Sequence, residues 1–351
     1  MTVTVYFATN RDITGPDDSP VFGPHFNANG PTYLRFGMAE VTPPASPGGD
    51  YKLARVQLAP EQIPGVNAPM TAPAVLGSQF MFDTLRQKLK DTKSDLLLLI
   101  HGYAATFSDA MERAAQLKVE YNQDTNPIEV AVFSWPADGT MVPLIDYQRD
   151  RDDAMASGPA IARALLKLLD YFRNLNRDDY CFQDLHLVAH SMGNYALRHT
   201  VQAMLRQYPG RIMPRIFKNI FLMAADEDND AFEFDHKFAR LPELAEAVHI
   251  YYSATDGALT ISDVTKGNPD RLGSTGPRKL SDLPHKVTLI DCGAVNDTSP
   301  LTDVRHQYYR KRPEVIADVR QVLADIPPDL VDNREYIPPK RSYRIKEWRR
   351  G

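Results

Sequence analysis

The 351-residue sequence predicts an α/β protein built on a mostly parallel sheet with helices on both faces. Three observations lead there. Short continuous apolar runs recur from about residue 78 onward, at 96–100, 130–135, 185–189, 220–225, 249–254 and 287–290. Such runs mark strands buried on both faces, as parallel strands are. Between them lie apolar residues at helical spacing, so strand and helix alternate. Before them, residues 3–8, 33–40 and 51–58 read as strands separated by loops rich in Pro, Gly and Asn, such as 42–50. These first runs are expected to extend the sheet or to form hairpins.

Taken in chain order, the helices declare themselves by their stripes. Phe107, Ala110, Met111, Ala114 and Ala115 form the first, and Ile161, Leu165, Leu168 and Phe172 the second. Leu197, Val201, Met204 and Leu205 form a third, with Gly210 as a candidate terminator. Val315, Ile316, Val319, Val322 and Leu323 form a fourth, behind Pro313 near the first turn. The reading is one domain over residues 1–325, with 1–77 as its β-rich extension. Residues 326–351 are proline-dotted and basic (Lys340, Arg341, Arg344, Lys346, Arg349, Arg350), as expected of a solvated or surface-draped tail.

Composition bounds the function. With 43% hydrophobic and 24% charged residues the chain can bury one large core, which excludes disordered and fibrous classes. A net charge of −5 from 40 basic and 45 acidic residues gives no basic footprint for nucleic acid. Cys181 and Cys292 have neither disulfide nor zinc-ligand spacing, so no metal and no cofactor is expected. No leader pattern opens the sequence and no run of 18 apolar residues occurs, so a cytoplasmic protein without membrane contact is expected. Oligomeric state is not legible.

The chemistry is read at strand ends, because functional groups of such a sheet gather beyond the carboxyl ends of its strands. Residues 185–189 run through His190, Ser191, Met192 and Gly193 straight into a helix, giving A-H-S-M-G in place of G-x-S-x-G. This strand-turn-helix context makes Ser191 a nucleophile at a sharp elbow, where the small residues Ala189 and Gly193 let neighbouring backbones close in. The run 96–100 ends in His101, Gly102 and Tyr103, which places the backbone N–H of Tyr103, with that of Met192, as donors to an oxyanion. His101 and His190 are expected to brace these loops.

For a general base, His306 lies beyond the run 287–290 on the productive side, whereas His249 and His285 sit at the wrong strand end and His199 lies inside a helix. His236 stays as a weaker alternative, and His306 could also be a surface histidine beside Tyr308 and Tyr309. For the orienting carboxylate, Asp256 is the first choice, because it follows the strand immediately before the one that leads to His306. Asp226 and Asp228 are the alternatives, one strand earlier, and Asp291 and Asp297 are also at the productive end. Asp256 has an ordinary reading as a turn residue before Gly257. The acidic run 226–230 is not a calcium loop, since Ala231 stands where glycine is required and Lys237 where glutamate is.

With these residues assembled, the chain resembles the α/β-hydrolases, specifically a bacterial α/β-hydrolase family of unknown function in the esterase and lipase group. The resemblance rests on FATNR at 7–11, LIHGYAATFSDAMERAAQL at 99–117, FSWPADG at 133–139, DYQRDRDDAMAS at 146–157, LVAHSMGN at 187–194, YYSATDGAL at 251–259 and HQYY at 306–309. It implies a serine hydrolase with Ser191 as nucleophile, His306 as base, and Asp256 or the pair Asp226 and Asp228 supplying the acid. The expected substrate is a small-molecule carboxylic ester or thioester. An acyltransferase or peptidase on the same residues, or a binding protein that kept the fold without turnover, are the alternatives.

Three segments remain outside acyl chemistry. Trp135, with His101 and Gly102, is a candidate wall of the acyl pocket, or else core. Asn10 and Arg11 are expected to cap or pair with the acidic segment 146–153. That charge-rich segment reads as the solvated first turn of a helix. The short span between the runs at 220–225 and 249–254 predicts a small cap and a fairly open site.

Overall fold

The computed structural model describes residues 2–16, 19–46, 48–61, 76–139, 145–259, 270–296 and 305–348. The three early runs become β1 (Val3–Thr9), β4 (Arg35–Thr42) and β5 (Lys52–Leu58), while β2 (Arg11–Ile13) and β3 (Phe22–Phe26) form a separate hairpin. The later runs become β6 (Asp95–Ile100), β7 (Ile128–Ser134), β8 (Leu185–His190), β9 (Phe217–Met223), β10 (Ala245–Tyr252) and β11 (Val287–Asp291). With β12 (Arg334–Ile337) and β13 (Ser342–Ile345) they make one 11-stranded sheet in the order β12-β13-β11-β10-β9-β8-β6-β7-β1-β4-β5. From β13 across to β1 every pair is parallel, and the outer pairs β1–β4, β4–β5 and β12–β13 are antiparallel.

Five longer helices cover the sheet: α1 (Gly77–Thr92), α2 (Phe107–Tyr121), α3 (Ile145–Arg173), α4 (Gly193–Gln207) and α5 (Pro313–Leu323). The apolar stripes explain their places. Phe107, Ala110, Met111, Ala114 and Ala115 of α2 are all buried on one face of the sheet, together with Val315, Val319 and Val322 of α5. Leu85 of α1, Ile161 and Leu165 of α3, and Leu197 and Val201 of α4 fill the opposite face. Thr106 starts α2 with a reciprocal capping box to Asp109, and Pro313 opens α5 where a missing N–H costs nothing. Gly210 holds φ +66° but lies two residues beyond the Tyr208 cap of α4, so it turns the chain after the helix has already ended.

The tail departs from expectation. Its residues 334–345 fold back as the β12–β13 hairpin, and β13 pairs parallel to β11 through Ile290 with Tyr343 and Asp291 with Arg344. Arg334 is anchored to the buried Asp318 of α5 at 2.6 and 2.8 Å. Strand β10 also begins earlier than the apolar run, so His249 lies within it, buried, with its Nε2 3.0 Å from Asn219 Oδ1.

One feature of the strand order positions the site. The chain leaves β6 for β7 on one side and returns to β8 on the other, so the connections that follow these two adjacent strands run in opposite directions at a switch point. In an open α/β sheet that crevice is where ligands bind. Between β9 and β10 the chain forms only the short turns Ala231–Glu233 and Leu241–Leu244. Among the described residues no helix is long and apolar enough to cross a membrane.

Candidate active site

Strand β8 ends at His190, and Ser191 turns the chain with φ +53° into α4. A left-handed serine costs of order 1–3 kcal/mol and must be held by its surroundings. Its N–H donates to Met223 O on β9 at 3.0 Å, and its carbonyl accepts the N–H groups of Asn194 at 3.0 Å and Asp226 at 3.2 Å. Asn194 adds its side-chain amide, donating to Ala189 O and Ser191 O at 2.9 and 3.1 Å. The glycine of the elbow is obligatory: a Cβ on Gly193 would sit 2.4 Å from Ile100 O and 2.6 Å from His101 O. One on Gly102 would sit 2.8 Å from Ser191 Cβ, so the ends of β6 and β8 touch.

His306 lies in the loop before α5, its ring 4.8 Å from that of His190 at the elbow. Its Nδ1 lies 2.7 Å from Oδ2 of Asp256, whose Oδ1 accepts the N–H groups of Ala258 and Leu259 at 3.1 and 3.2 Å. Burial would lower the imidazole pKa, but the carboxylate of Asp256, assisted by that of Asp226, outweighs it and leaves His306 above the ordinary value of 6.5. Asn296 secures the loop, donating to Arg305 O at 2.7 Å and Ser253 Oγ at 2.9 Å. Nε2 of His190 lies 3.1 Å from His306 O, and the His190 ring stacks on Tyr309. His190 is buried, and that burial, with the neighbouring His306, keeps it neutral. Ser191 is 6% and His306 7% exposed, so both side chains are buried. Ser191 Oγ makes no hydrogen bond among the described residues.

The structure thus pairs His306 with Asp256 next to His190, the residue before Ser191, and engages the other carboxylates elsewhere. Asp226 accepts the hydroxyl of Tyr147 at 2.5 Å and faces Nε of Arg271 at 3.3 Å. Asp228 binds Arg271 at 2.7 Å and Lys237 at 2.8 Å, Glu227 binds Arg198 at 3.0 Å, and Lys237 also pairs with Asp230. The run 226–230 therefore spends its charges on cations of the chain. Asp291 accepts the N–H of Gly293 at 2.9 Å, and Asp297 lies outside the described residues. His236 is exposed beside Phe234. No group of three or more metal-ligating side chains occurs among the described residues.

The N–H groups of Tyr103 and Met192 make no hydrogen bond among the described residues. The next amide, of Ala104, is taken by Asp150 Oδ2 at 2.9 Å. Two expectations for this neighbourhood are corrected. Trp135 and His101 are fully buried and stacked at 4.9 Å beneath the loop, so neither walls an open pocket. The segment 146–153 is solvated on one side only: Gln148, Arg149 and Asp152 are exposed, but Asp146 and Asp150 are buried, and the hydrogen bonds of Arg11 go to backbone carbonyls and Ser134 rather than to that segment. Sequence reasoning passed over Tyr147, Asp150, Arg271 and Asn296. The first two lie in a segment whose charge pattern imitates a solvated helix face, and the last two carry no local signal.

A mostly parallel sheet, a serine elbow at its switch point and a buried histidine–aspartate pair beside it define an α/β-hydrolase. The chain belongs to the family described as "Alpha/beta hydrolase of unknown function (DUF900)", whose profile matches residues 80–325. It is 27% identical over 172 residues to Uncharacterized protein alr1448 of Nostoc sp. (strain PCC 7120), covering 41% of this chain and 42% of that protein. The chain thus spans about two fifths of the length of that curated relative. No solved structure matches.

Proposed function

We propose that this chain is a serine hydrolase that cleaves a carboxylic ester or thioester through an acyl-serine intermediate. In this reading Ser191 Oγ attacks the acyl carbonyl while its proton passes to Nε2 of His306. Asp256 stays ionised, fixes the Nδ1–H tautomer and stabilises the imidazolium. The tetrahedral oxyanion is received by the N–H groups of Tyr103 and Met192, at the start of α4 where helix dipole and unbonded amides favour negative charge. Collapse expels the alcohol or thiol with the proton from His306, and water repeats the sequence to release the acid. The Ser191–His306 hydrogen bond forms as substrate enters, as catalytic contacts that are loose in a free enzyme commonly do.

The observation that carries the reading is the 2.7 Å contact between His306 and the buried Asp256 beside a serine held at φ +53°. A binding protein without turnover has no use for a strained serine facing an oriented imidazole. Labelling with a fluorophosphonate, read by intact mass, tests it. One adduct is expected on the wild type, none on Ser191→Ala, and a labelling rate lowered at least a hundredfold in His306→Ala. A folded wild type that takes no adduct would overturn the proposal in favour of the binding protein.

A further inference from the structure

The segments FATNR, SWP and DYQRD have no part in bond making, yet the structure gathers all three under the loop 101–106. Arg11, 1% exposed, spends its guanidinium there. It donates to Ala105 O at 2.7 Å, Ala137 O at 2.9 Å, Gly23 O at 3.1 Å and Ser134 Oγ at 2.9 Å. From the opposite side Asp150 of α3 accepts the N–H of Ala104 at 2.9 Å and that of Asp138 at 3.3 Å. Ala104 is held at φ +50°, a conformation that a non-glycine residue keeps only under restraint.

Between these grips stands His101. The N–H of Trp135 donates to its Nε2 at 3.1 Å, which requires the proton on Nδ1. Nδ1 in turn lies 3.0 Å from Gly102 O. Gly102 O and the N–H of Tyr103 belong to one rigid peptide plane, so a hydrogen bond to the carbonyl fixes the direction of the amide and polarises it. The indole N–H of Trp135 closes the circuit on His101 O at 2.9 Å.

We infer that Arg11 and Asp150, acting with the Trp135–His101 pair, are positioning residues that aim the Tyr103 N–H at the developing oxyanion. Arg11 fixes the peptide three units after that amide, Asp150 the peptide next to it, and His101 the plane that contains it. The two buried charges make no direct ion pair. Burial lowers the Arg11 pKa to about 9, countered chiefly by Asp150, and the side chain still carries its proton at neutral pH. Burial raises Asp150 to about 6, which leaves it ionised there. A neutral side chain could not serve in place of Arg11, because no other residue offers donors in a rigid fork to four separate acceptors.

This inference rests on the acyl-serine reading, and its test separates the two. Steady-state hydrolysis of p-nitrophenyl acetate and the affinity for phenylboronic acid, which binds as a tetrahedral adduct, are compared in wild type, Arg11→Lys, Arg11→Met and Asp150→Asn. Folding is checked by circular dichroism and activity normalised to folded protein. For Arg11→Met and Asp150→Asn, kcat falls about ten- to a hundredfold with KM within about twofold, and boronate affinity falls in parallel. Arg11→Lys, keeping the charge and part of the fork, lies between wild type and Arg11→Met. Folded variants with wild-type kcat and boronate affinity would overturn the assignment, as would a loss confined to KM. A folded wild type with neither hydrolysis nor a fluorophosphonate adduct overturns the acyl-serine reading itself.

Discussion

The loops after β9 and β10 offer the same residue type at equivalent strand ends, and only one of them meets the histidine. After β10, Asp256 turns one oxygen to two backbone amides and the other to His306. After β9, Asp226 is claimed by Tyr147 and Arg271, inside a cluster where Glu227, Asp228 and Asp230 are each matched to a cation. A carboxylate that faces an arginine loses little by staying ionised and gains nothing by orienting an imidazole. Asp256, fixed through one oxygen by two backbone amides, turns the other to the histidine. Position at a strand end therefore makes a short set of candidates, and the competing cations choose among them.

The sharpest way to break this comparison is to remove each carboxylate in turn. Asp256→Asn is expected to lower kcat about 10³–10⁴-fold, through loss of the imidazole tautomer and of imidazolium stabilisation. Asp226→Asn should cost about tenfold or less, since Asp226 acts on His306 only through space. Equal losses, measured as kcat on the same ester, would show that the two loops share the work.

Next in size is the cation itself. Arg271 is fully buried between Asp226 and Asp228, and Arg271→Met leaves two carboxylates without their guanidinium. Breaking such a buried pair costs about 3–5 kcal/mol, so urea unfolding should show a lower midpoint with an unchanged slope. A loss under about 1 kcal/mol would mean that the cluster does not hold Asp226 away from the histidine.

The smallest effect lies in pH. His306 must be neutral to accept the serine proton, so activity rises with pH through its pKa, and that pKa lies above 6.5 because Asp256 outweighs burial. The acid limb of kcat/KM should therefore sit above 6.5 in wild type and move to lower pH in both aspartate variants, further in Asp256→Asn. A larger shift in Asp226→Asn would reverse the ranking of the two loops.

Local pattern in the sequence determined the alternation of strands and helices, the serine elbow, the histidine–glycine end of β6 and the short set of acids and bases. These features repeat at periods of two or 3.6 residues, or sit within a few residues of a strand end, and backbone geometry makes such signals readable in one dimension. Tertiary structure alone decided that Asp256 rather than Asp226 meets His306, across 50 residues of chain. It also decided that Arg11 reaches Ala105, 94 residues away, and that the basic tail closes the sheet as β12 and β13. Which charges meet depends on strand order, register and the rotamers that dense packing permits. A buried arginine and an exposed one look alike in sequence until the fold shows what surrounds them.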